Sequence, residues 1–283
     1  MRSLATRTSH CSPSGLRRLA CRSSRRGDSG QEFRAHVPLH DAPDARRLDL
    51  HASLRNPLGE QWLVRVASER KAVPVYAVAD LSASMSYEGR FRKLDVLADF
   101  VEALAWSAWR TGDAFGFVGC DEVVRRDLLL PLVRAQGAGG GLARRLRALE
   151  PRGCDALGLK DAHRLLRRER SLVFLLSDFH LPSEDIERVL GSLARHEVVP
   201  VVLWDRAEFD PPVAGTGWLA PVIDAETGRR RLLWLRASVR ERWRRGLEAR
   251  RDALEALFRR QRLRPLFLMD GFDADAVTTH FHR

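Results

Sequence analysis

The chain is poor in lysine, in cysteine and in long apolar runs, and each shortage closes off a class of protein. Of its 48 basic residues, only Lys71, Lys93 and Lys160 are lysines. So complete an arginine bias can follow from base composition alone. The net charge of +11 therefore does not by itself mark a nucleic-acid binder, and the placement of the arginines matters more than their number. The four cysteines, Cys11, Cys21, Cys120 and Cys154, are scattered without a CxxC pair. That argues against a zinc ribbon or a disulfide scaffold and suits a reducing, cytoplasmic setting. No apolar run approaches the roughly 18 residues a membrane helix needs. The first 27 residues contain no acid and superficially resemble a transit peptide, but they lack the apolar core of a secretory signal. In "GLRRLAC", Arg18 stands where a lipobox requires an aliphatic residue. Walker loops, GxSxG elbows and HExxH helices are also missing.

What remains is a large alternating pattern. Hydrophobic residues make up 45% of the 283, enough to bury a substantial core. Residues 1–29 read as a disordered basic N-terminus and 30–71 as an irregular lead-in. Within that lead-in, "EQWLVRVASER" (60–70) has the alternation of a strand, through Trp62, Val64 and Val66. Residues 72–210 form the expected core. Buried strands are predicted at 72–79, 113–120, 122–130, 171–177 and 198–204, and helices at 92–110, 141–149, 156–168 and 183–196, the last with Ser183 as N-cap. "GAGGG" (137–141) reads as a flexible loop. Residues 211–283 are expected to complete the domain. They hold a hairpin at 220–235 turning at Glu226–Gly228, a long basic helix at about 237–262 and a last strand at 264–269. Strands that are apolar throughout and separated by helices imply a doubly wound, mostly parallel α/β sheet.

The chemistry gathers at the strand ends. The 72–79 strand ends in Asp80, 113–120 is followed by Asp121, 171–177 by Asp178 and 198–204 by Asp205. In open α/β sheets ligands bind beyond the carboxyl ends of strands, near the switch in strand order. Asp80, Ser82 and Ser84 supply a carboxylate and two hydroxyls at a spacing of two, with Leu81 and Ala83 turned to the core and Met85 packed beneath. These are hard oxygen donors suited to a hard divalent cation. The alternative is that the serines merely cap the following helix. His180 reads as a loop residue rather than an acid–base group.

Asp-x-Ser-x-Ser after an apolar strand resembles the metal-ion-dependent adhesion site of von Willebrand factor A domains. The lead-in "GQEFRAHVPLHDAPDARRLDLHASLR", the strand "VPVYAVADLSASM" and the later "SLVFLLSDF" are together similar to the bacterial DUF58 family, a von Willebrand A-like group. That resemblance runs from about residue 30 to the C-terminus. It implies Asp80, Ser82 and Ser84 as the first metal-ligating loop and Asp178 as the distal carboxylate. The remaining ligand is ordinarily a threonine. Here that loop reads "PRGCDALGL", with Cys154 in the threonine position. A largely protonated thiol is a poor ligand for Mg²⁺. Asp155 or water in its place, a softer metal, or a degenerate site all stay open. The lead-in residues Arg46, Arg47, Asp49 and Arg55 are expected to form an ion-pair network, with Leu50 where the family usually carries tryptophan.

The resemblance implies a non-enzymatic binding module holding Mg²⁺ or Mn²⁺. It also implies an adaptor working with a MoxR-type AAA+ ATPase in the maturation or metal loading of a client complex, methanol dehydrogenase assembly included. Two readings compete with it. One is a Mg²⁺-dependent hydrolase built on Asp80 and Asp178. The other is a nucleic-acid-binding protein using the arginine-rich helix, whose interspersed acids fit an exposed amphipathic or partner-docking helix better than a phosphate tracker.

Overall fold

The computed structural model describes residues 31–41, 43–44, 46, 48–56, 61–69, 72–151, 153, 155–209, 219–223, 230–234 and 237–282. The chain divides into two compact units, 24–73 and 74–283. In the first, β1 (Gln31–Pro38) pairs antiparallel with β2 (Leu63–Glu69), so the stretch read as irregular contributes a strand. A short helix α1 (Leu50–Leu54) starts at Asp49, whose Oδ1 accepts the Ala52 amide at 3.0 Å. Asp49 is also the hub of this unit's ion pairs. Its described basic partners are Arg65 and His36, each at 3.1 Å. The expected partners Arg46 and Arg55 are replaced there by residues the β1–β2 pairing brings alongside. Arg47 lies outside the described residues.

The second unit carries a six-stranded sheet in the order β10–β7–β6–β3–β4–β5. Its strands are β3 (Pro74–Asp80), β4 (Ala114–Cys120), β5 (Leu130–Val133), β6 (Leu172–Ser177), β7 (Glu197–Leu203) and β10 (Leu266–Leu268). All neighbours are parallel except β4 and β5. The two-stranded β8 (Leu219–Ile223) and β9 (Arg230–Trp234) form a separate antiparallel ladder, and their connecting turn lies outside the described residues.

Helix α2 (Lys93–Thr111) buries Leu94, Leu97, Val101 and Leu104 at helical spacing. Each such side chain contributes roughly 1.5–3 kcal/mol of burial. Its Phe100 meets Phe174 of β6 edge to face at 5.6 Å. Gly112, with φ +77°, closes the helix, donating to the carbonyls of Ala108 and Trp109. A second cluster joins Tyr76, Val78 and Val173 of the sheet to the 3₁₀ segment Leu157–Leu165, to α4 (Ser183–Ser192) and to α6 (Ala237–Arg260). From α6 it takes Leu254, Leu257 and Phe258. A short α5 (Arg206–Phe209) follows β7, and α7 (Ala274–His282) ends the described chain.

Several boundaries differ from the sequence reading for identifiable reasons. The strand expected at 122–130 moves to Leu130–Val133, because Arg125 draws Asp121 and Asp127 into ion pairs that bend the chain at 121–128. The segment expected as helix at 156–168 is a tighter 3₁₀ run. Pro182, not Ser183, occupies the N-cap position of α4. The glycines at 139–141 are not loop: α3 (Ala138–Arg147) begins there. A Cβ on Gly139 would lie 2.7 Å from Cβ of Ala105 and 3.2 Å from the Glu102 backbone of α2. Small residues let the two helices approach this closely. Replacing Gly139 with valine should therefore cost about 1–3 kcal/mol by overpacking. Gly141→Ala, which meets nothing within 4 Å, should gain up to about 1 kcal/mol from helix propensity. Urea denaturation of the two variants checks both signs.

Candidate functional site

β3 is the central strand at which the order reverses. The chain leaves it through α2 to β4 on one side and later returns to β6 on the other. The carboxyl ends of β3 and β6 are therefore neighbours, and they carry Asp80 and Asp178, each 1% exposed. Asp80 Oδ1 accepts the Ser82 amide at 2.9 Å, which winds the chain into a tight turn. Its Oδ2 accepts the Ser177 hydroxyl at 2.6 Å. Ser177 in turn accepts the Phe179 amide at 2.8 Å, so one buried hydroxyl ties the two strand ends together.

Beyond Asp80 the turn continues as a single 3₁₀ segment, Ala83–Ser86, with Met85 fully buried beneath it. Ser82 occupies its N-cap position without making a side-chain cap. The capping alternative thus has no support from the side chain. The hydroxyls of Ser82 and Ser84 instead face one another at 3.1 Å. Adjacent ligands of an octahedral ion with bonds near 2.1 Å stand about 3 Å apart. The spacing, the hardness of the donors and the neighbouring carboxylate fit a small divalent cation.

The third loop also reaches this place. Gly153 bridges to Ser82, and its carbonyl accepts the Ala83 amide at 2.8 Å. A Cβ on Gly153 would lie 2.6 Å from Cβ of Asp121, so glycine is what lets the loop seat here. Cys154 lies outside the described residues. Asp155 uses Oδ1 to accept the Leu157 amide at 2.9 Å at the start of the following 3₁₀ run.

The other two strand-end acids do different work. Asp121 holds Arg125 at 3.0 Å and the Val123 amide at 3.1 Å. Asp205, fully buried, accepts the amides of Arg90, Phe91 and Ala207 and so fixes the approach to α2. Of the four strand-end acids, Asp80 and Asp178 therefore lie at the serine turn, while Asp121 and Asp205 are engaged by partners of their own.

Sequence reasoning missed the principal cation. Lys93, 1% exposed, places Nζ 3.0 Å from Asp178 Oδ2 and 3.1 Å from Glu208 Oε1, with the Tyr87 ring 5.5 Å away. The signal was present: a lysine in an arginine-dominated chain, in register with the apolar stripe of α2. His180 stacks on Trp204 and meets Glu208 Oε2 at 3.3 Å. Burial opposes its charged form, but the carboxylates of Asp178 and Glu208 hold it above the usual histidine range.

Burial and the Asp178 charge push Asp80 up to about 6, against the hydrogen bonds of Ser177 and Ser82. Burial alone would also raise Asp178, but the Lys93 ammonium, helped by His180, holds it below the usual carboxylate range. A raised carboxyl contributes stability that is complete below its unfolded value near 4 and lost as pH rises through about 6. In chelator, Asp80→Asn removes that loss. The stability of the variant relative to wild type should rise by about 2–3 kcal/mol between pH 4 and pH 8. Denaturant titrations at the two pH values measure it.

Comparison with other proteins places the chain in a family. A protein of Paracoccus denitrificans, described as an uncharacterized protein in the moxR 3' region, is 44% identical over 66 residues. That match covers 23% of this chain and 61% of the relative's length. Among solved structures, an aerotolerance-related membrane protein from Bacteroides fragilis aligns over 75% of this chain and 97% of its own, at 12% identity and a TM-score of 0.42. The SpRpn10 VWA domain aligns over 47% of this chain and 76% of its own, at 13% identity and a TM-score of 0.34. Among the described residues, no helix is long and apolar enough to cross a membrane. The family described as DUF58, of unknown function, matches residues 41–253, and the chain belongs to it.

Proposed function

We propose that this chain is a non-enzymatic adaptor that docks an acidic group of a partner protein at the carboxyl ends of β3 and β6. The observation that carries the reading is the pair of facing hydroxyls, Ser82 and Ser84, beside the buried Asp80. In this reading Ser82 and Ser84 hold a divalent cation, Mg²⁺ or Mn²⁺, with the carboxylates of Asp80 and Asp178 behind them. The loop seated by Gly153 closes the remaining side. A bound cation supplies a hard positive centre. Because two of its ligands are neutral, the site retains an appetite for a carboxylate from outside. The chain's own residues do the positioning: Ser177 locks Asp80 to β6, and Gly153 seats the third loop against the serine turn.

The partner we infer is a MoxR-type AAA+ ATPase, with the maturation or metal loading of a further complex as the outcome; assembly of methanol dehydrogenase is one instance of that chemistry. Support comes from the moxR-region description of the Paracoccus relative together with membership of the family.

Calorimetric titration of Mg²⁺, Mn²⁺ and Zn²⁺ into wild type and Asp80→Ala, paired with capture of a co-expressed MoxR-type ATPase, tests this. Capture should need the metal and should be lost in Asp80→Ala and in chelator. Capture that ignores both changes contradicts the reading. So does turnover of a generic phosphoester that disappears in Asp80→Ala, which would establish the hydrolase instead. Cys154→Thr should bind Mg²⁺ more tightly than wild type, since an oxygen replaces sulfur at that position.

A further inference from the structure

The geometry points to Lys93 as a tethered cation that competes with a divalent metal for Asp178, and so sets how readily the site takes the metal. This rests on the metal-binding reading above and adds to it a residue that the adhesion-type motif does not contain.

Five observations on the page carry the inference. The ammonium is as buried as the carboxylate it meets, and an unpaired charge at that depth is costly, so Lys93 must keep a partner in every state of the site. It has two. Asp178 lies at 3.0 Å and Glu208 at 3.1 Å, so it can yield the first without losing the second. Glu208 is equipped for that exchange: Oε1 also accepts the Asp205 amide at 2.8 Å, and Oε2 meets His180 at 3.3 Å. The position is also an unfavourable one for a cation used only as packing. Lys93 is the first residue of α2, where the positive end of the helix dipole faces it. A compact ammonium suits the space between two carboxylates and the Tyr87 ring, where the chain has not used its habitual arginine.

The consequence is a charge exchange. Without metal, Lys93 neutralises Asp178 and leaves Asp80 as the carboxylate beside the serine pair that has no cation against it among the described residues. A divalent ion sharing Asp178 repels the ammonium within a few ångströms, which lowers affinity and shifts Lys93 toward Glu208. Glu208 sits on α5, and its backbone carbonyl accepts the Trp243 indole of α6 at 2.6 Å. The residue that receives the displaced ammonium is therefore joined to the long C-terminal helix.

Lys93→Met keeps the length of the side chain and removes its charge. By calorimetry it should bind Mg²⁺ at least about tenfold more tightly than wild type. Its melting temperature should fall below wild type in chelator and recover with Mg²⁺. Equal or weaker Mg²⁺ binding in a folded Lys93→Met overturns the competition while leaving the metal site itself standing. Mg²⁺ binding by neither protein removes both readings. Binding by Lys93→Met alone supports the competition and removes the metal from the wild-type protein's function. A readout on the unaltered chain covers the case in which the variant does not fold. With three lysines in all, ¹³C-lysine labelling resolves the Lys93 side chain by NMR. Its signal should move with Mg²⁺ along the calorimetric binding curve. A signal that stays still while calorimetry shows Mg²⁺ bound overturns the proposal.

Discussion

A buried ammonium between two carboxylates is the constraint around which the carboxyl edge of this sheet is arranged. Lys93 begins α2, Asp178 directly follows β6, and Glu208 lies on the short helix after β7. One cation thus joins three segments far apart in sequence, and removing the ammonium would leave Asp178 buried without its cation. Asp205 repeats the principle with neutral donors, gathering the amides of Arg90 and Phe91 so that the chain enters α2 at the angle that sends Lys93 inward. The serine turn at 82–84 is bracketed on one side by this cluster and on the other by the Gly153 loop.

The same edge carries backbone strain. Phe179 has φ of +51°, a left-handed conformation that costs a non-glycine residue about 1–2 kcal/mol. Three contacts over-determine it. Its amide donates to Ser177, its carbonyl accepts Arg250 of α6 at 2.6 Å, and its ring packs edge to face on Phe258 at 5.2 Å. Arg250 also reaches the Leu181 carbonyl. The loop that presents Asp178 is therefore held from two directions, by the sheet through Ser177 and by the C-terminal helix through Arg250. The arginine-rich helix read from sequence as a surface element has one face in the core, through Leu254, Leu257 and Phe258. It also places one guanidinium against the site loop, while Arg244, Arg245 and Arg251 pair with acids along its own surface.

The parallel sheet was legible because strands buried on both faces leave uninterrupted apolar runs, as in "PVYAVA" and "LVFLLS". The placement of Asp80 and Asp178 at one edge of the sheet was legible because each directly ends an apolar run. What could not be read was pairing. Asp121 and Asp205 occupy equivalent places in the sequence, yet Arg125 and a set of backbone amides consume them, and those partners are set by tertiary contacts. The glycines at 139–141 read as a loop because their composition is that of a linker; only the approach of Ala105 shows them to be a helix-packing surface. β1 was missed because a strand with few apolar residues gives no periodic signal, and its pairing with β2 supplies what the pattern lacks. Lys93 was visible as an oddity of composition but not as a member of the site.

Family membership, a doubly wound sheet and a serine turn at its switch point are the features on which the proposed recognition through an oxygen-lined site rests. The polar groups there are arranged to hold charge in balance, with Lys93 standing against Asp178. The most direct examination is crystallographic: crystals soaked in Mn²⁺, with data collected for anomalous scattering. The account predicts one strong peak within bonding distance of the Ser82 and Ser84 hydroxyls, absent in Asp80→Ala. A featureless map at that turn, or manganese bound elsewhere on the chain, would contradict it.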